Sequence, residues 1–178
     1  MAKSPKVSSK RLVIDASVAG AAGGDAASAQ VSCDATQFLQ AVLRICHHAA
    51  MTPQLAVEWL RHQSLFSMSW LAEMRLRNKV DMVDGEEGGL ATRLASTKVS
   101  GSVPRAFRED AHLIDGALRT DRVVVSLDAT ARQQYSAVVE LLPQLRRVMW
   151  VDPSNKPDAV MRWLEQGAEH DPASCLGS

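Results

Sequence analysis

Four acidic residues stand where a fold could gather them. Asp15 ends the apolar run of "RLVID", Glu58 lies in "AVEW", Asp110 opens "DAHLIDGAL", and Asp128 ends "VVVSLD". Two carboxylates about 4 Å apart repel by about 4 kcal/mol at an effective dielectric near 20. Four that converge therefore need protons or cations to neutralise them. Carboxylates are hard oxygen ligands, suited to Mg²⁺ or Mn²⁺. One or two such ions hold a phosphodiester and generate hydroxide for in-line attack. That chemistry requires no cysteine, no histidine and no organic cofactor.

The elements that must position these acids alternate. "RLVID", the end of "AAM", "RVVVSLD" and "RRVMWVD" read as short buried strands. "CDATQFLQAVLRICHHAA" reads as an amphipathic helix with Asp34 as N-cap. Thr52 and Pro53 open another helix, carrying Glu58 within its second turn. "LFSMSWLAEMRLRNKV", "EDAHLIDGALRT", "ATARQQYSAVVELLPQL" and "KPDAVMRWLEQG" are further helices. "DGEEGG" is a break, "LATRLAST" a short helix and "TKVSGSVPR" a loop. Strands alternating with helices imply an α/β fold, a parallel sheet with helices on both faces. Such folds bind ligands outside the carboxyl ends of their strands, which is where Asp15 and Asp128 sit.

These residues carry a resemblance. "LVIDASVA", "AVEW" and "DAHLIDGALRTDRVVVSLD" together resemble PIN-domain ribonucleases, most of all the VapC-type toxins of toxin–antitoxin pairs. Asp15-Ala16-Ser17 matches a strand-one Asp followed by a small residue and Ser or Thr. Glu58 matches the helical Glu, Asp110 the Asp that opens a helix, and Ser126-Leu127-Asp128 the final Ser/Thr-x-Asp. The resemblance spans Arg11 to Pro153, and its final motif is the most specific part. It implies that Asp15, Glu58, Asp110 and Asp128 are catalytic, and that Asp15, Asp110 and Asp128 bind the metal. Ser126 and Ser17 would support them. It also implies an RNA substrate, a homodimer and an antitoxin protein laid over the groove. The chain departs from the family in its lysine-bearing N-terminal tail, the long stretch between Glu58 and Asp110, and the helix after Pro153. The expected organisation is a disordered basic tail over 1–10, the nuclease domain over 11–153, and a C-terminal helix and tail over 154–178.

Taken singly, each acid has a plainer reading. Asp15 is a turn or N-cap residue, Glu58 a solvated helix residue, and Asp110 a charge at a helix's positive end, a role Glu109 shares. Asp115 lies about 140° around the helix from Asp110 and is a peripheral candidate. His47-His48 is a core or boundary pair, and His112 turns away from Asp110. The glycines of "GAAGG" form no phosphate loop, since neither Gly-x-Gly-x-x-Gly nor Gly-Lys-Ser/Thr is present. They read as a flexible exit from the strand. Trp59, Leu65, Met68, Trp70 and Met74 read as core or dimer interface. Arg61, Arg105, Arg108 and Arg132 lie near the acids in sequence and are candidates for RNA phosphates. Arg75, Arg77 and Lys79 form a second basic cluster or a solvated helix face.

Composition limits the alternatives. Lys+Arg and Asp+Glu number 20 each, so no overall basic charge marks a general nucleic-acid binder. Three scattered cysteines without Cys-x-x-Cys argue against a disulfide framework or zinc site and for a reducing compartment. No apolar run approaches the roughly 18 residues of a membrane helix, and the start of the chain lacks the apolar core of a signal peptide. A cytoplasmic protein is expected. Two rivals to the nuclease are a non-catalytic PIN-like module binding RNA or protein, and a haloacid-dehalogenase-type phosphatase. The phosphatase lacks its usual second Asp, because Ser17 stands there.

Overall fold

Apolar runs of three or four residues, each closed by a polar residue, set four of the five strands among the described residues. A computed structural model describes residues 8–24, 28–84, 89 and 110–178. β1 (Arg11–Ile14), β2 (His48–Met51), β3 (Val80–Met82), β4 (Val123–Val125) and β5 (Met149–Val151) form one sheet in the order β3-β2-β1-β4-β5. Every neighbouring pair is parallel. The helices among the described residues are α1 (Ala16–Ala21), α2 (Ala29–Arg44), α3 (Pro53–His62), α4 (Leu65–Leu76), α5 (Ala111–Leu118), α6 (Ala129–Ala137) and α7 (Pro157–Glu165). The α/β fold with a central parallel sheet flanked by helices is therefore observed. None of the described helices is long and apolar enough to cross a membrane.

Parallel strands covered by helices need apolar side chains on both sides. Leu12, Val13, Ile14 and Val123–Val125 are accordingly all buried, each such side chain contributing about 1.5–3 kcal/mol. Trp59 and Trp70 stack at 5.6 Å and, with Met74, belong to this core. Leu65 and Met68 are exposed instead.

Local chemistry corrects several expectations. α2 is capped by Ser28, which accepts from the Val31 amide, and not by Asp34. Asp34 lies inside the helix, where its side chain accepts from Gln30. β3 was not expected at all, because "NKVDM" lacks an apolar run. The helix after Asp128 stops at Ala137. Two β-branched valines follow and disfavour helix, and Val139, Leu142 and Leu145 turn into the core. Pro143 then starts a 3-10 turn over Pro143–Arg147. The small residues after Asp15 form α1 and are not a flexible exit. Their size lets α1 press on α3: a Cβ on Gly20 would lie 2.9 Å from the His62 carbonyl oxygen. "LATRLAST", "TKVSGSVPR" and most of "DGEEGG" lie outside the described residues.

Two buried polar side chains fasten the periphery. Lys79 Nζ donates to the carbonyls of Val42, Leu43 and Ile45, which close the C-terminal end of α2. The ammonium meets the negative end of the helix there, and burial holds its pKa below the usual lysine value. Lys79 thus leaves the expected basic cluster, and Arg77 pairs with Glu73. His47 is fully buried. Its Nδ1 accepts from the Lys10 amide at 3.1 Å, and Nε2 lies 2.8 Å from the Leu164 carbonyl oxygen. A carbonyl can only accept, so the neutral ring protonated on Nε2 satisfies both contacts. The segment after Pro153 continues this closure. α7 packs on α2, and the Leu176 amide donates to the Val148 carbonyl.

Replacing Lys79 by Met should cost about 2–4 kcal/mol in urea denaturation, because three carbonyls lose a charged donor. Burial, ahead of the nearby lysine charges, lowers the His47 pKa below its ordinary 6.5 despite the Leu164 bond. The unfolded chain therefore takes up a proton near that pH while the folded chain resists it. Its stabilising effect is complete above about pH 6.5 and declines as the pH falls towards the folded value. The melting temperature should drop between pH 7.5 and 5.5, and drop less in His47→Gln.

Candidate functional site

The pairing of β1 with β4 decides what stands at the sheet's carboxyl edge. Ile14 registers with Val125, so the next residues, Asp15 and Ser126, emerge side by side. The Asp15 amide extends the ladder to the Val125 carbonyl at 2.9 Å. Asp15 occupies the N-cap position of α1, yet its carboxylate makes no cap bond. Instead Oδ2 accepts from Ser126 Oγ at 2.8 Å and from Ser17 Oγ at 2.5 Å. Those contacts leave Oδ1 available to a ligand.

The two serines bind the loops together. Ser126 Oγ, buried, also accepts from the Asp128 amide at 3.0 Å, and Ser17 Oγ accepts from the Leu127 amide at 3.2 Å. Each hydroxyl thus donates to Asp15 and receives from the β4–α6 turn. Asp128 caps α6, with Oδ1 accepting from the Ala131 amide at 2.8 Å. Asp110 stands at the N-cap position of α5 without a side-chain cap bond.

Asp15, Glu58, Asp110 and Asp128 line one open cleft of about 930 Å³. The structure thus brings all four candidate acids to one place, with Ser17 beside them. Arg61 lines the same cleft. Arg132 does not: it lines a separate cavity against β5 and α7. Arg105 and Arg108 lie outside the described residues. Asp115 meets Gly89 and is not among the residues lining the cleft.

Two residues lining the cleft, and one behind it, were missed by sequence reasoning. Gln54 and His62 lie one helical turn either side of Glu58 and share its face; that spacing was the available signal. Gln54 Nε2 donates to Glu58 Oε1 at 3.4 Å. His112, buried, places Nε2 3.0 Å from Glu58 Oε2. It was expected to turn away from Asp110 by helical phase. Its partner is Glu58, a contact that expectation did not name. Behind the acids, burial and then the charges of Asp110 and Asp115 raise the Tyr135 pKa far above the usual phenol range. That phenol stays protonated.

The donor set is chemically suited to a hard divalent cation. Among the described residues, however, no three His, Cys, Asp or Glu side chains stand close enough to hold one ion. In comparisons with family models, curated proteins and solved structures, nothing matches the chain.

The Trp59 indole donates to the Ile14 carbonyl at 2.8 Å and so fixes α3, with Glu58, against the strand that ends in Asp15. Trp59→Phe removes this donor from a fully buried site. It should cost about 2–4 kcal/mol by urea denaturation.

Proposed function

We propose that the chain is a metal-dependent endoribonuclease of the PIN type. The observation that carries this reading is the shared cleft: Asp15, Glu58, Asp110 and Asp128 come from separate elements and line it together. Asp15, Asp110 and Asp128 would hold Mg²⁺ or Mn²⁺. When bound, the ions would neutralise the carboxylates, orient a phosphodiester and supply an activated water. Ser126 and Ser17 keep Asp15 turned by occupying its Oδ2. Gln54 donates to Glu58 Oε1, and His112 Nε2 lies 3.0 Å from Glu58 Oε2. Arg61, on the cleft wall, supplies positive charge to an RNA phosphate.

The narrower reading, from the resemblance of the motifs, is the toxin of a toxin–antitoxin pair, a cytoplasmic homodimer restrained by an antitoxin protein. A second reading is a non-catalytic module that binds RNA or protein. One observation favours it: among the described residues no three His, Cys, Asp or Glu side chains form a group that could hold an ion. Calorimetric titration with Mn²⁺ separates the two, since a non-catalytic module should give no site.

With RNA and Mg²⁺ or Mn²⁺ the protein should cleave internally, and EDTA should stop it. Asp15→Asn and Asp128→Asn should each reduce cleavage at least about 100-fold with little change in melting temperature. Asn can still accept from Ser126 and can still cap α6. Undiminished cleavage by both variants would refute the nuclease reading.

A further inference from the structure

The carboxyl edge holds a second concavity, about 400 Å³ in volume, between the end of β5, α7 and the C-terminal turn. That volume lies within the range of small-molecule sites. Its wall carries Arg132, Lys156 and Trp163, with Asp152 and Asp171 opposite in character. The acids are held by their own loops. Asp152 Oδ1 accepts from the Ser154 amide and hydroxyl at 2.8 and 2.7 Å. Asp171 accepts from the Ala173 amide and the Ser174 hydroxyl at 3.1 and 2.6 Å. The cations are not so held. Neither the Arg132 nor the Lys156 side chain makes a hydrogen bond or ion pair within the described residues. Arg132 is half-buried, and a half-buried guanidinium presents five donors in a fixed fork that matches phosphate or carboxylate oxygens.

The position of Arg132 connects this cavity to the acidic cleft. It lies one helical turn beyond Asp128, about 6 Å along α6. Asp128 lines the first concavity and Arg132 the second. We infer that this cavity is a nucleotide subsite: it takes one nucleotide of an RNA strand whose neighbouring phosphodiester lies over the acids. Arg132 and Lys156 receive the phosphate. The partly exposed Trp163 indole offers a ring face to the base, and the free lone pairs of Asp152 and Asp171 accept from base amino groups. The inference rests on the nuclease reading for its substrate class. It places Arg132 apart from the cleft and gives it a ligand of its own.

The test uses full-length protein carrying Asp15→Asn, in EDTA, so that binding is read without cleavage. 5′-AMP and 5′-UMP are titrated by calorimetry and by tryptophan fluorescence. One nucleotide should bind per chain, adenosine and uridine at least tenfold more weakly, and Arg132→Ala should weaken the nucleotide at least tenfold. A short RNA oligomer should bind more tightly than the mononucleotide. No nucleotide binding, or equal binding by Arg132→Ala, overturns the subsite. Equal affinity for oligomer and mononucleotide overturns its place on an RNA strand. Cleavage by the Asp15-containing protein with Mn²⁺ is measured separately. Its absence overturns the nuclease reading and leaves the titration interpretable, whereas cleavage without nucleotide binding removes the subsite alone.

Discussion

One hydrogen bond organises the acidic cleft: the Trp59 indole to the Ile14 carbonyl. Ile14 is the last residue of β1, and the carbonyl it exposes there has no further ladder partner to expect on that side. A helix that supplies a rigid donor at this point is forced to lie across the end of the strand. α3 does so, and it brings Glu58, the neighbour of Trp59, to the side of Asp15. The stacking of Trp59 on Trp70 extends the same constraint to α4, whose Trp70 indole bonds the Leu39 carbonyl in α2. Tryptophan suits the task because a large apolar body fills the core while one N–H fixes direction.

Around this frame three buried ionisable groups are met by neutral partners. Asp15 is satisfied by two hydroxyls, Lys79 by three carbonyls, His47 by one amide and one carbonyl. None of these relies on a buried ion pair, an arrangement whose desolvation cost often matches its attraction. The partners of Asp15 are neutral dipoles, so no opposite charge stands among its hydrogen-bond donors. The hydroxyl bridge through Ser126 also makes the two strand-end acids geometrically dependent on each other, since one Oγ serves the Asp15 carboxylate and the Asp128 amide.

Much of this was legible because it follows from local rules. Strands such as "LVI" and "VVV" announce themselves by apolar runs, and the acids that close them fall at the carboxyl edge by the logic of parallel sheets. Thr52-Pro53 marked the start of α3 by cap chemistry alone. The failures have physical causes too. "SVAGAA" looked flexible because small residues carry little periodicity, yet they form α1 where tight contact with α3 demands small size. β3 escaped because an edge strand of three residues with Asp81 at its centre has no apolar signature. Asp34 had the right type for a cap, but Ser28 stood earlier and took the place. The contact of His112 with Glu58 joins two helices remote in sequence, and no local pattern encodes such a meeting. Nor could proximity in sequence reveal that Arg132 opens onto a different concavity from Asp128, since that depends on where β5 and α7 come to rest.

The strand order also bears on how the molecule comes into being. β1 joins β2 within the first part of the chain, and β4 joins β5 within the last. Within the sheet the two halves meet along a single seam, where Val13 registers with Val124 and Ile14 with Val125, and α5 and α7 pack across onto the first half. Contacts between such distant segments carry the greatest loop-closure entropy and tend to slow folding. Asp15 and Glu58 belong to one half, Asp110 and Asp128 to the other. The acidic cleft is therefore absent from any intermediate in which only the halves have formed. Its like charges are brought together at the step that completes the sheet, so the mutual repulsion of the acids opposes that final closure, and a bound cation would favour it.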